Sequence, residues 1–267
     1  MEFARLVGGH VLVEGPRDDG EGGVLFADVV SGGAWRWTGG KRATAVLEGR
    51  RGIGGLVPHA KGGLVVTGRD VVVVGGRGED RELLGLRPGI KGFNDLVTMD
   101  DSGLLVGALR FRPDAGEEPV PGEVWRVPPR RGGEPEPFLD GIVRPDGIGL
   151  SPDGTTVYVS DSHTGEVLAC TDDGFHRRVF ARVPDGAPAG LAVDADGDVW
   201  VALGPGGAIA RFTPDGELRE RHDVPGADFV SSVAFAGEDD LLVATAGALL
   251  RARGVGVEGR PVAACTS

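Results

Sequence analysis

With 267 residues, 48 glycines, 18 prolines and 40% hydrophobic side chains, the chain is long enough for one large β domain and too apolar for disorder. Its formal net charge of −12 argues against nucleic acid and membrane surfaces as partners, because both recruit basic patches. With no N-terminal apolar leader, no run long enough to cross a bilayer and only two cysteines (Cys170 and Cys265), a cytoplasmic location without a disulfide framework is expected.

Helical apolar spacing is absent. Short Val/Leu/Ala runs bounded by Gly and Asp recur instead, which is the pattern of an all-β protein. In chain order the strongest runs begin at Val24, Leu64, Leu104, Val157, Val199 and Leu241, so successive starts lie 40, 40, 53, 42 and 42 residues apart. Each is followed by a second run, at 34–37, 71–74, 123–127, 166–170, 208–212 and 248–251. The tetrads Ser151-Pro152-Asp153-Gly154 and Thr213-Pro214-Asp215-Gly216 read as turns, with Pro presetting φ and Gly supplying the positive φ that follows. A period of about 40–50 residues with several strands per unit is the signature of a propeller blade. Residues 1–267 are therefore expected to form a single six-bladed β-propeller domain. The one long interval contains a loop insertion at 111–122. The ring closes either through residues 3–7 or through Val262-Ala263-Ala264; closure matters because it removes exposed sheet edges.

Counting ten residues back from each start gives Glu14, Gly54, Asn94, Ala189 and Ser231; in the fourth repeat the doubled Thr155-Thr156 moves the position to Asp146. Loops that enter the innermost strands of a propeller face its channel, so these six positions should converge on the axis. Two carboxylates and an amide at matched positions are hard to explain by packing. Crowded carboxylates repel one another unless a cation or a shared proton compensates them.

Four stretches carry a family resemblance: Val13-Glu14-Gly15-Pro16, Phe93-Asn94-Asp95, the segment from Arg144-Pro145-Asp146-Gly147 to Asp153-Gly154, and the segment from Gly190-Leu191 to Val201-Ala202. Together they resemble the gluconolactonase/regucalcin (senescence marker protein) family along essentially the whole chain. The resemblance implies a six-bladed propeller that hydrolyses lactones or related esters with one divalent metal on its axis. It also implies a metal set of Glu in blade one, Asn in blade four and Asp in blade five, with a blade-three Asn positioning substrate and the blade-five Asp as general base. Carried over, the first is Glu14 and the blade-three residue is Asn94. Blade four has Asp146 where Asn is usual, blade five has Ala189 where Asp is usual, and Gly92 replaces a basic residue. The carboxylate has thus moved one blade round the ring without changing the total charge.

The expected metal ligands are accordingly Glu14, Asn94 and Asp146, with Asp146 also the proton-handling group. Ca²⁺ suits such an oxygen set, with Mg²⁺, Mn²⁺ or Zn²⁺ as alternatives; Zn²⁺ is disfavoured because the ring offers no His or Cys. Each residue has a plainer reading. Glu14 is otherwise a turn carboxylate, Asp146 an Asx-turn residue after Pro145, and Asn94 a loop-bracing amide. Candidate substrate contacts are Asn94, His59, Arg110, Glu123 and Ser231. His59 is a pocket base or a turn histidine, and Arg110 flanks the insertion within reach of an anionic substrate. Glu123 opens a strand, and Ser231 lies on the ring without a histidine to activate it. Trp35, Trp37, Trp125 and Trp200 read as blade-packing aromatics.

The leading expectation is a metal-dependent lactonase acting on a small molecule, with weak turnover of simple sugar lactones because the usual base is missing. The alternatives are an isomerase, cyclase or lyase on the same scaffold, or a non-catalytic binding propeller. Oligomeric state is not legible in the sequence.

Overall fold

The computed structural model describes residues 1–76, 78, 80–129, 133–183, 185–262 and 264–267. After strand β1 (Phe3–Gly8), blade one comprises β2 (Val13–Asp18), β3 (Val24–Asp28), β4 (Ala34–Trp37) and β5 (Thr44–Leu47). Blade two is β6 (Leu56–Pro58), β7 (Leu64–Val66), β8 (Val71–Val74) and β9 (Arg81–Leu84). Blade three is β10 (Gly92–Thr98), β11 (Leu104–Leu109), β12 (Gly122–Val127) and β13 (Glu136–Ile142). Blade four is β14 (Pro145–Leu150), β15 (Thr156–Asp161), β16 (Glu166–Thr171) and β17 (Arg178–Arg182). Blade five is β18 (Leu191–Val193), β19 (Val199–Ala202), β20 (Ala208–Phe212) and β21 (Leu218–Asp223). Blade six has β22 (Val230–Ala236), β23 (Asp240–Thr245) and β24 (Ala248–Ala252) and takes β1 as its outer strand.

All six sheets are antiparallel meanders, the expected six-bladed β-propeller. Among the described residues the only helical turn is the 3-10 segment Pro113–Ala115, inside the predicted insertion between β11 and β12. The ring closes through the N-terminus, where β1 pairs with β24 from Phe3 opposite Ala252 to Gly8 opposite Ala248. The rival closure segment, 262–264, includes Ala263, which lies outside the described residues.

The runs legible in the sequence are the second and third strands of each blade. They are apolar throughout because blades pack on both of their faces: every residue of β3, β7, β19 and β20 is buried. Val57, Val65 and Leu84 of blade two, for example, share a core with Leu96, Leu104, Val106 and Trp125 of blade three. Each such side chain contributes about 1.5–3 kcal/mol by leaving water. Outer strands are different: β21 reads Leu-Arg-Glu-Arg-His-Asp and is almost wholly exposed.

Beyond β24 the chain crosses the turns that follow the innermost strands. Gly259 bridges to Asp194 of blade five, and the Arg260 backbone N–H donates to Val193 O at 2.9 Å. The Arg260 side chain donates to Ser151 O of blade four at 2.7 Å and pairs with Asp100 of blade three. Cys265 then bridges to His59 of blade two. This tail thus touches the lower turns of blades five, four, three and two. Behind it an apolar cavity of about 90 Å³ is lined by Val57, Val97, Ile148, Leu191, Phe235 and Val262.

Candidate active site

The six aligned positions all stand where the chain enters an innermost strand. Glu14, Asn94, Asp146 and Ser231 are the second or third residues of β2, β10, β14 and β22, while Gly54 and Ala189 come two residues ahead of β6 and β18. In the four blades where the position falls inside the strand, the pairing slips there: between Glu14 and Arg17, Phe93 and Leu96, Pro145 and Ile148, and Val230 and Ser232. A bulge leaves an extra residue unpaired and re-aims its side chain, which frees these positions from the strict alternation of the strand.

The same level stitches neighbouring blades together. Asn94 Nδ2 donates to Pro145 O at 3.2 Å, and Ile148 N donates to Asp95 Oδ2 at 3.1 Å. Gly147 N donates to Ala189 O at 3.2 Å and Gly190 N to Ser231 O at 2.8 Å. The Ser231 hydroxyl donates to Val13 O at 2.5 Å. Blades three, four, five, six and one are thereby joined in sequence around the axis.

Glu14 and Asp146, from opposite sides of the ring, share one electrostatic environment. Burial pushes the Glu14 carboxyl well above its ordinary range, and the charges of Asp146 and Asp95 push it further. Burial also raises Asp146, while Arg144, the Ser162 side chain and the Asn94 side chain oppose the rise. Asp95 is held at about 6 by burial, against the pull of Arg17. The Arg17 guanidinium lies 3.7 Å from Asp95 and donates to Pro16 O and Leu96 O, so it ties blade one to blade three beneath the pair.

Asn94 reaches this cluster because Gly54 leaves room for it. A Cβ on Gly54 would stand 2.3 Å from Asn94 Oδ1 and 3.0 Å from the Asn94 carbonyl carbon. With Nδ2 facing Pro145 O, the amide oxygen remains the acceptor on that side chain.

Two aspartates outside the predicted set hold the carboxylates in place. Asp28, at the end of β3, accepts from Val11 N at 3.0 Å and Leu12 N at 3.5 Å, just ahead of Glu14. Asp161, at the end of β15, accepts from Val143 N at 2.9 Å and Arg144 N at 3.1 Å, just ahead of Asp146. Both also bind the loop that follows them, Asp28 through Val30 N and Ser31 N and Asp161 through His163 N and Thr164 N. The signal was available: both residues close the second strand of their repeats.

The remaining sequence candidates have partners of their own. Arg110 and Glu123 pair with each other at 3.0 Å, and Trp125 Nε1 donates to the other Glu123 oxygen, so these groups satisfy one another. His59 sits past the far end of β6, bridged to Cys265 on the lower side, rather than beside Glu14. Ser231 is fully buried and its hydroxyl proton is spent on Val13 O, a seam contact rather than a substrate contact. Ala189 supplies only its backbone. Arg144 and Ser162, by contrast, join the cluster without having been singled out.

The donor chemistry fits the divalent ion that the sequence resemblance implies. Burial, and after it the charge of Asp146, raises Glu14; a cation between the two carboxylates would relieve both, and an amide oxygen would add to a hard-cation set. Among the described residues no group of three or more His, Cys, Asp or Glu side chains is arranged around a metal position, so water would fill the remaining coordination.

Comparison with known proteins places this geometry. The family model for the SMP-30/Gluconolactonase/LRE-like region matches residues 12–247. The chain is 40% identical over 105 residues to the L-arabinolactonase of Azospirillum brasilense, covering 37% of this chain and 35% of that protein. It is 30% identical over 134 residues to the 6-deoxy-6-sulfogluconolactonase of Pseudomonas putida, covering 44% of this chain and 46% of that one. The aligned region thus spans less than half the length of either relative. Among solved structures, a luciferin-regenerating enzyme superposes with a TM-score of 0.88 at 21% identity, covering 100% of this chain and 99% of its own, a likeness of fold.

Proposed function

The chain belongs to the SMP-30/gluconolactonase/LRE-like family, and we propose that it hydrolyses lactones at the Glu14–Asn94–Asp146 cluster. The observation that carries this reading is the placement of Glu14 and Asp146 at the matched inner-strand entries of blades one and four, with Asn94 of blade three donating to Pro145 O beside Asp146 at 3.2 Å. The names of the two aligned relatives, both lactonases, support hydrolysis over the isomerase and binding readings.

In the overall reaction water adds to the lactone carbonyl carbon, the acyl carbon–oxygen bond breaks, and a hydroxy acid and a proton leave. Glu14, Asp146 and the Asn94 amide oxygen would hold the ion; when bound, it polarises the carbonyl and eases deprotonation of water. Asp146 is the general base of this reading, replacing the carboxylate that Ala189 lacks. Burial raises its pKa and so helps it take a proton from water, while Arg144 and the Ser162 and Asn94 side chains limit that rise. Asn94 braces the Asp146 loop through Pro145 O and so fixes the angle at which that carboxylate meets water.

The test follows proton release by pH-stat on gluconolactone and L-arabinolactone, with metal content measured on the same samples. The expected result is metal-dependent turnover that falls by about 10²–10⁴-fold in Asp146→Asn, with lowered metal retention in Glu14→Gln. Absence of turnover by metal-loaded wild type on every lactone, or wild-type rates in Asp146→Asn, overturns the reading.

A further inference from the structure

Arg144 is the unexplained cation of the site. Its backbone is fixed on both sides: N–H donates to Asp161 Oδ1 at 3.1 Å, and its carbonyl accepts from Ser162 N at 3.2 Å and the Ser162 hydroxyl at 3.4 Å. Among the described residues no hydrogen-bond partner holds its side chain. Nε is buried without a hydrogen bond, and among the described residues the guanidinium forms no ion pair. Arg17, the other arginine of the cluster, is spent on Pro16 O, Leu96 O and Asp95. Arg144 stands directly before β14, two residues ahead of Asp146, with its Nε buried at the level where Asn94 donates to Pro145 O.

The charge count shows what such a group is for. Arg17 offsets Asp95, and a divalent cation would offset Glu14 and Asp146. That leaves the Arg144 charge uncompensated beside the reacting position. Were Arg144 only a counter-charge for the acidic pair, it would be drawn into contact with one member of it. A planar fork with free donors is instead suited to a carboxylate, sulfonate or phosphate oxygen pair.

We propose that Arg144 is a specificity-determining residue that recognises an oxyanion substituent on the substrate, so that the preferred substrates are lactones carrying a second, acidic group. This rests on the lactonase reading above and names its substrate class. It also accounts for the weak turnover expected on simple sugar lactones.

The experiment compares neutral gluconolactone with matched lactones bearing a carboxylate, a sulfonate or a phosphate, using metal-loaded wild type, Arg144→Gln and Arg144→Lys. Wild type should prefer one of the charged lactones by about 10–100-fold in kcat/KM, mainly through KM. The three arms identify which oxyanion is selected. Arg144→Gln should lower kcat/KM for the charged lactone about tenfold or more beyond whatever it costs the neutral one, so that the preference disappears, and Arg144→Lys should retain part of it. Equal losses on neutral and charged lactones, or no charge preference in wild type, overturn the proposal. Binding is measured separately by calorimetry with the dianion glucarate and the monoanion gluconate. Tighter glucarate binding that disappears in Arg144→Gln supports anion recognition even if no lactone is cleaved, in which case the hydrolytic reading alone fails. Melting curves of both variants confirm that they are folded.

Discussion

Gly54 shows how much a single absent atom decides. Asn94 occupies the space that a side chain at position 54 would need, and part of the obstruction is Asn94 backbone, which cannot rotate aside. Gly54→Ala should therefore displace the amide from Pro145 and Asp146, lower kcat/KM about tenfold or more and cost ~1–3 kcal/mol of stability. Steady-state kinetics and thermal melts read the two effects separately. Normal kinetics in a stable Gly54→Ala protein would show that Asn94 is not needed at its present position. That Glu14 and Asp146 occupy matching inner-strand entries was legible in the sequence because repeats can be counted. Arg144 and Ser162 were not, because their roles depend on which way a side chain leaves a bulged strand. That Arg110 and Glu123 pair with each other was not legible either, because it depends on how the insertion folds back between β11 and β12.

At the level of strands, the two carboxylate-bearing blades share one device: a bulged inner strand whose entry is tied to an aspartate at the end of the second strand. Burial raises the Asp28 carboxyl, but donors from Val11, Ser31 and Leu12 outweigh it and hold the pKa below the ordinary aspartate value. A depressed folded-state pKa stabilises the protein above about pH 4 and ceases to do so as pH falls through the folded value. Asp28→Asn should thus lower the melting temperature by ~5 °C at pH 7, with the gap narrowing steadily in acid. His10, 3.5 Å from Asp28 and lowered in pKa by burial, titrates over the same descent, so His10→Phe serves as the control. A gap independent of pH would assign the effect to packing instead of charge. Second and third strands were readable because blades bury both of their faces. Inner strands were less so, since bulges and glycines interrupt their alternation, and outer strands such as β21 are too polar to stand out.

The whole molecule is fastened at both ends. Strand β1 completes blade six, and the tail beyond β24 spans blades five to two. Removing residues 1–8 leaves β24 as an open edge and should lower the melting temperature by about 10 °C or more, with concentration-dependent association seen by light scattering. An unchanged, monodisperse protein would show that closure through β1 is dispensable. The number of blades was legible from the repeat period alone, whereas the seal at the lower end was not: the tail carries no repeat and its contacts are mostly backbone hydrogen bonds.

The tail across the lower turns leaves the upper face as the approach to the cluster. On the lactonase reading proposed above, the lactone would enter and its hydroxy acid would depart by that same upper face. The opened product keeps whatever substituent drew its precursor in and gains a carboxylate besides. It therefore competes with incoming lactone, and progress curves should slow with conversion well before equilibrium is approached.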